Sequence, residues 1–220
     1  MAHSKLQTKA RDFAADAQAL LNRTVCNNVR VAATADNGSG FVAVATNLSG
    51  LRSTRVEVIS GSRQFNVYLE LECQVHLESG TDYLTVNKST FSVYAGPDED
   101  DPVFHYDFER NKQGYTEAHL QVLGENAPMT QVMRELCSRK QKLLGDLHFP
   151  VGGRRFRPSI EDLIEFLIEE ELAKPKLGWR NVLDRSRAKF QEIQLRAAIR
   201  QNPGVALSAL VDDGYHLSKS

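Results

Sequence analysis

The chain of 220 residues is 41% hydrophobic and 25% charged, proportions ordinary for a globular protein with a sizeable core. A formal net charge of -1 excludes a global electrostatic pull toward nucleic acid or anionic membrane, so any such attraction must be local. The polar residues 1–5 are no secretory leader, no apolar run is long enough to cross a bilayer, and Cys26, Cys73 and Cys137 form no CxxC pair.

Residues 5–22 carry Leu6, Phe13, Ala17, Leu20 and Leu21 at helical spacing, with Ser4 placed as N-cap. From Val29 to about Glu125 the period changes to two. Val29, Val31 and Ala33 open a first strand. After the turn at 36–40, the continuous apolar run at 41–45 reads as a strand buried on both faces. The clearest strand spans 65–78, where Phe65, Val67, Leu69, Leu71, Cys73 and Val75 alternate with polar residues. Residues 79–82 turn into shorter strands at 83–86 and 91–95. The acidic stretch 96–102, closed by Pro97 and Pro102, reads as a solvated loop.

After Glu125 the period becomes helical. Residues 127–144 form one predicted helix, with Val132, Met133, Leu136, Leu143 and Leu144 as its apolar content. Ser159 and Asp162 have capping-box spacing before a stripe that includes Ile160, Leu163, Ile164 and Leu167. A last long helix at 179–201 turns Val182, Leu183, Phe190 and Ile193 inward, and a short tail docks through Val205, Leu207, Leu210 and Val211. The fold class is therefore α+β: an N-terminal helix, a curved antiparallel meander, and C-terminal helices packed on the apolar face of the sheet. Residues 1–126 hold the first helix and the sheet and 127–220 the helical part, as one continuous domain.

Two strands carry the candidate chemistry. In residues 104–109, Phe104, Tyr106 and Phe108 share one phase while His105, Asp107 and Glu109 share the other; in 118–122, His119 and Gln121 oppose Ala118, Leu120 and Val122. If Asp107 pairs with His119, then His105 pairs with Gln121, and two imidazoles, a carboxylate and an amide gather on one face. A carboxylate beside an imidazole fixes its tautomer, as a general base or a metal ligand requires. His148 is a further titrating candidate. Arg154, Arg155 and Arg157, after Gly152-Gly153 and before a helix, form a candidate phosphate clamp, unless they pair with the acid-rich helix at 161–171. No motif assigns a metal or names a cofactor, although His105, Asp107 and His119 have the donors of a facial set. The form of 119–122 and 148–151 is similar to that of the two-histidine phosphoesterases, with Gln121 and Pro150 in place of that family's hydroxyl residues.

His105-Tyr106-Asp107-Phe108, His119-Leu120, Pro150-Val151 and the segment 163–168 resemble an uncharacterised bacterial family of unknown function. That resemblance implies a small intracellular bacterial component, with toxin–antitoxin or phage-defence loci as its setting. The sequence favours a cytoplasmic binding or regulatory component with a protein partner and no membrane. The alternative is a His/Asp-dependent phosphodiesterase or RNase-like enzyme acting on RNA or a nucleotide, with His105, Asp107, His119 and His148 as its catalytic residues.

Overall fold

The computed structural model describes residues 2–35, 40–47, 53–62, 65–79, 81–136, 143–153 and 157–215. Helix α1 (Ala2–Thr24) begins earlier than its sequence signal. Ser4 therefore lies within the helix and does not cap it; its carbonyl accepts from Thr8 Oγ1 at 3.0 Å. Leu6, Ala10, Ala14, Ala17, Leu20 and Leu21 recur every three or four residues as one buried face. The small alanines let the helix lie close to the sheet.

The strands are β1 (Val31–Ala35), β2 (Val42–Thr46), β3 (Val56–Glu57), β4 (Tyr68–Leu77), β5 (Leu84–Tyr94), β6 (Phe104–Glu109), β7 (Ala118–Val122) and β8 (Phe149–Pro150). Among the described residues they form one open antiparallel sheet in the order β1-β2-β4-β5-β6-β7-β8, and β3 pairs with the start of β4. The two short strands expected at 83–86 and 91–95 are a single strand, β5. Its apolar phase breaks because the register shifts by one residue, Gln74 facing Lys88 and Val75 facing Val86. Asn87 is the extra residue of this bulge, and its side-chain amide donates to Gln74 Oε1 at 2.8 Å.

One face of the sheet is apolar. Val42, Val44, Leu69, Leu71, Val75 and Phe91 join the buried face of α1 in a single core, which also takes in Ile160, Leu163, Ile164 and Leu167 of α3 (Ile160–Glu169) and Leu183 of α4 (Trp179–Gln201). Ser159 caps α3 through the expected box, accepting from the Asp162 amide at 3.2 Å while Asp162 accepts from the Ser159 amide at 2.9 Å. The α3–α4 connection is tied to the far end of the chain: Lys176 Nζ donates to the Asn22 carbonyl at 2.6 Å, where the last turn of α1 favours a cation.

The remaining helical expectations need revision. Helix α2 (Ala127–Leu136) ends before Leu144, which instead opens a short 3-10 turn, Leu144–Asp146; residues 137–142 lie outside the described residues. Ile193 is 51% exposed rather than part of the core, because α4 extends past the core it touches at Leu183. The expected tail is a helix, α5 (Pro203–Asp212), begun by a proline at its first turn, and none of its side chains is buried. No helix among the described residues is long and apolar enough to cross a membrane.

Candidate functional site

The register of β6 and β7 places Asp107 opposite His119 and His105 opposite Gln121, as the alternation in both segments requires. Neighbouring strands extend the same polar face, with Ser92 opposite His105 and Thr90 opposite Asp107. His148 comes from the segment just before β8 and brings its ring to 4.6 Å from that of His119. The four candidate residues of the acid–base reading are therefore brought together.

Hydrogen bonds fix their orientation. The Gly145 carbonyl can only accept, so the Gln121 group that meets it at 2.8 Å is the amide nitrogen. Gln121 Oε1 then faces His105 Nε2 at 2.8 Å, and that nitrogen must carry the proton. His119 donates from Nδ1 to the Thr116 carbonyl at 3.2 Å. Its Nε2 points toward Asp107 Oδ2 at 3.8 Å, beyond hydrogen-bond range. His105 Nε2 is 3.5 Å from the same oxygen. Asp107 Oδ1 and His119 Nε2 are buried without a hydrogen-bond partner among the described residues.

His119 is only 2% exposed. The cause is Tyr115, whose ring stacks on His148 at 4.0 Å and meets His119 edge-on at 5.0 Å. Tyr115 lies in the β6–β7 connection, which composition marks only as a turn, so its role as a cover was not legible. Among the described residues no group of three or more His, Cys, Asp or Glu side chains is arranged to hold a metal, and the facial set of His105, Asp107 and His119 is not assembled.

The phosphate clamp does not join this cluster. Arg154 and Arg155 lie outside the described residues. Arg157 sits on the opposite face of the sheet: its guanidinium carbon is 4.5 Å from the ring centroid of Phe108, which belongs to the core-facing phase of β6. The acid-rich helix is met by Arg187 and Arg180 of α4, which reach Glu165 at 2.6 Å and Glu169 at 2.5 Å.

Arg157 instead lines a cleft of about 470 Å³ bounded by α1, the β4–β5 hairpin, α3 and α4. Phe13, Ala17 and Leu20 contribute from α1, and Phe190, Ile193 and Ala197 from α4. Arg110 is a second lining guanidinium, 6.0 Å from the same Phe108 ring. Burial pulls the Arg157 pKa below its usual range, and repulsion from Arg110 adds to the effect against the opposing influence of Cys73. The four carboxylates around the cleft each have a donor: Asp16 meets Lys189 at 2.5 Å, Asp82 meets Lys5, Glu78 accepts from Thr85 at 3.2 Å and Glu161 from Ser186 at 2.5 Å. The cleft draws residues from four distant parts of the chain. Several of these residues stood out singly in the sequence, Phe13, Ala17 and Leu20 on one helix face and Arg157 before another, but nothing in the sequence joined them.

Comparison with family models, with curated proteins and with solved structures finds no match to this chain.

Proposed function

We propose that this protein is a binding or regulatory component whose working site is the cleft between α1, the β4–β5 hairpin, α3 and α4. The cleft itself carries this reading: at about 470 Å³ it lies within the roughly 300–1,000 Å³ common for small-ligand sites, and it combines apolar walls with a few polar groups. The His119–Asp107 pair supports catalysis less well. A general base must reach a substrate proton, and His119 is enclosed by Tyr115 and His148 with its Nε2 turned toward Asp107. Support for a protein partner comes from α5, where Val205, Leu207, Leu210 and Val211 are all exposed.

The test uses Nile red, a neutral dye that brightens in apolar surroundings. The wild-type chain should bind it in a saturable way, and Ala197→Trp, which fills the cleft from α4, should abolish the signal with circular dichroism unchanged. Failure of the wild type to bind, or binding unaffected by Ala197→Trp, rejects the cleft as the working site.

The partnerless Asp107 Oδ1 and His119 Nε2 favour a second reading, acid–base hydrolysis of RNA or a nucleotide at the polar face. It expects measurable RNA cleavage that is lost in His119→Ala. A wild type without cleavage, or a variant that cleaves equally well, eliminates it.

A further inference from the structure

Resting on the cleft as a ligand site, we infer that its ligand is an uncharged alcohol with an aliphatic body, its hydroxyl bonded to Ser89 on the sheet floor of the cleft and its chain lying between α1 and α4.

The charges of the lining cancel. Beside its four carboxylates the cleft holds four cations, Lys9, Arg110, Arg157 and Lys189. An ion of either sign would lose its hydration and meet as much repulsion as attraction. A zwitterion would compete with pairs already made, Lys189 with Asp16 and Lys5 with Asp82. Polar side chains of the lining are engaged as well: Thr85 donates to Glu78 at 3.2 Å, Ser186 to Glu161 at 2.5 Å, and Ser159 shares its cap with Asp162. Tyr83 and Gln201 are exposed and Gln194 is half-buried, so each keeps contact with water.

Ser89 differs. It is 4% exposed, and its hydroxyl has no hydrogen-bond partner among the described residues. In β5 it lies opposite Cys73 of β4 and Phe108 of β6, on the phase that faces the helices, and it lines the cleft together with Cys73. A buried hydroxyl left open costs free energy that a ligand recovers by bonding to it. An alcohol does so most fully, since each hydroxyl both donates and accepts. The other buried hydroxyl of the lining, that of Ser159, is taken by its cap, so a sugar's several hydroxyls would lose water here without replacement. Phe13 and Leu20 of α1 and Phe190 and Ile193 of α4 complete a cavity in which each methylene of an aliphatic chain gains by burial.

Displacement of Nile red from the full chain uses octan-1-ol, octanoate, octylammonium, octylphosphocholine and the hydrocarbon oct-1-ene, all below micellar concentration. Octanol should displace the dye at a concentration roughly tenfold or more below that of each ionic compound. Ser89→Ala should weaken octanol about fivefold and leave oct-1-ene unchanged, which also shows that the variant keeps its cleft. An ionic compound as effective as octanol overturns the uncharged ligand but leaves the cleft reading intact. Octanol affinity unchanged in Ser89→Ala, or lost to the same extent as that of oct-1-ene, overturns the bond to Ser89. If octanol does not displace bound Nile red, the alcohol is rejected alone. If Nile red does not bind at all, the cleft reading falls with it.

Discussion

Asp107 and His119 face each other across β6 and β7, yet the carboxylate oxygen and Nε2 stand 3.8 Å apart, near enough to interact and too far to bond. With Nδ1–H given to the Thr116 carbonyl, the hydrogen on or absent from Nε2 decides this contact: without it two acceptors face each other, which is unfavourable in a buried place, and with it the ring is a cation beside a carboxylate.

Replacing Asp107 with Asn tests the first arrangement. The amide can place a donor before His119 Nε2, so Asp107→Asn is expected to gain about 1 kcal/mol in urea unfolding. His119→Ala should lose about 2–4 kcal/mol, because it removes an enclosed ring and its bond to Thr116. A clear loss of stability in Asp107→Asn would show that His119 carries a second proton, and that the carboxylate is its counter-ion.

The pairing of Asp107 with His119 was legible because a two-residue period fixes which side chains share a face, and two such strands in a hairpin leave few registers. The same logic located β4 and the buried stripe of α3. It misled at β5, where Asn87 interrupts the phase and one strand reads as two. Arg157 shows another limit. Its neighbours in sequence place it before a helix with Arg154 and Arg155, but which face of the sheet it meets is set by packing, not by its neighbours. Gly152, just after β8, has φ of +83°, a left-handed turn natural to glycine. Packing between segments distant in the chain decides the rest, including the cleft, and no local pattern encodes it.

Burial also governs the thiols. Loss of hydration pushes Cys26 and Cys73 each up to about 12, against the opposing pull of Lys176 on Cys26 and of Arg157 on Cys73. Because the thiolate is the nucleophile, each should react with a disulfide reagent at pH 8 on the order of a thousandfold more slowly than a free thiol. Mass-spectrometric mapping of native and urea-unfolded protein distinguishes these positions from Cys137. Rapid native labelling at Cys26 or Cys73 would contradict their enclosure.

His76 predicts a particular acid sensitivity. Burial lowers its pKa from 6.5, Glu78 opposes that shift, and Arg110 reinforces it. The Phe41 ring packs edge-on at 5.4 Å and Nδ1 has no hydrogen-bond partner among the described residues. A depressed histidine is neutral in the fold while its unfolded counterpart takes up a proton. Its contribution to stability is therefore complete above pH 6.5 and declines as pH falls toward the folded value. Urea midpoints measured between pH 7.5 and 5 should fall less steeply in His76→Gln than in wild type. Parallel curves would show that His76 does not contribute to the decline.

Ser159 links helix formation to the shape of the cleft, which it lines beside Arg157 and Ile160. Its hydroxyl accepts from the Asp162 amide at 3.2 Å, and the Asp162 carboxylate accepts in return from the Ser159 amide at 2.9 Å, so two otherwise unsatisfied donors at the start of α3 are answered. Ser159→Ala removes the first of these bonds and should cost about 1 kcal/mol. Ser159→Asn, which restores an acceptor at the same place, should recover most of it. The loss should be accompanied by faster hydrogen exchange in the first turn of α3 and not in α4, because α4 starts from Gly178 without a side-chain cap of its own. Equal exchange in both helices would mean that α3 is held by its buried stripe alone, with the cap contributing nothing to the wall of the cleft.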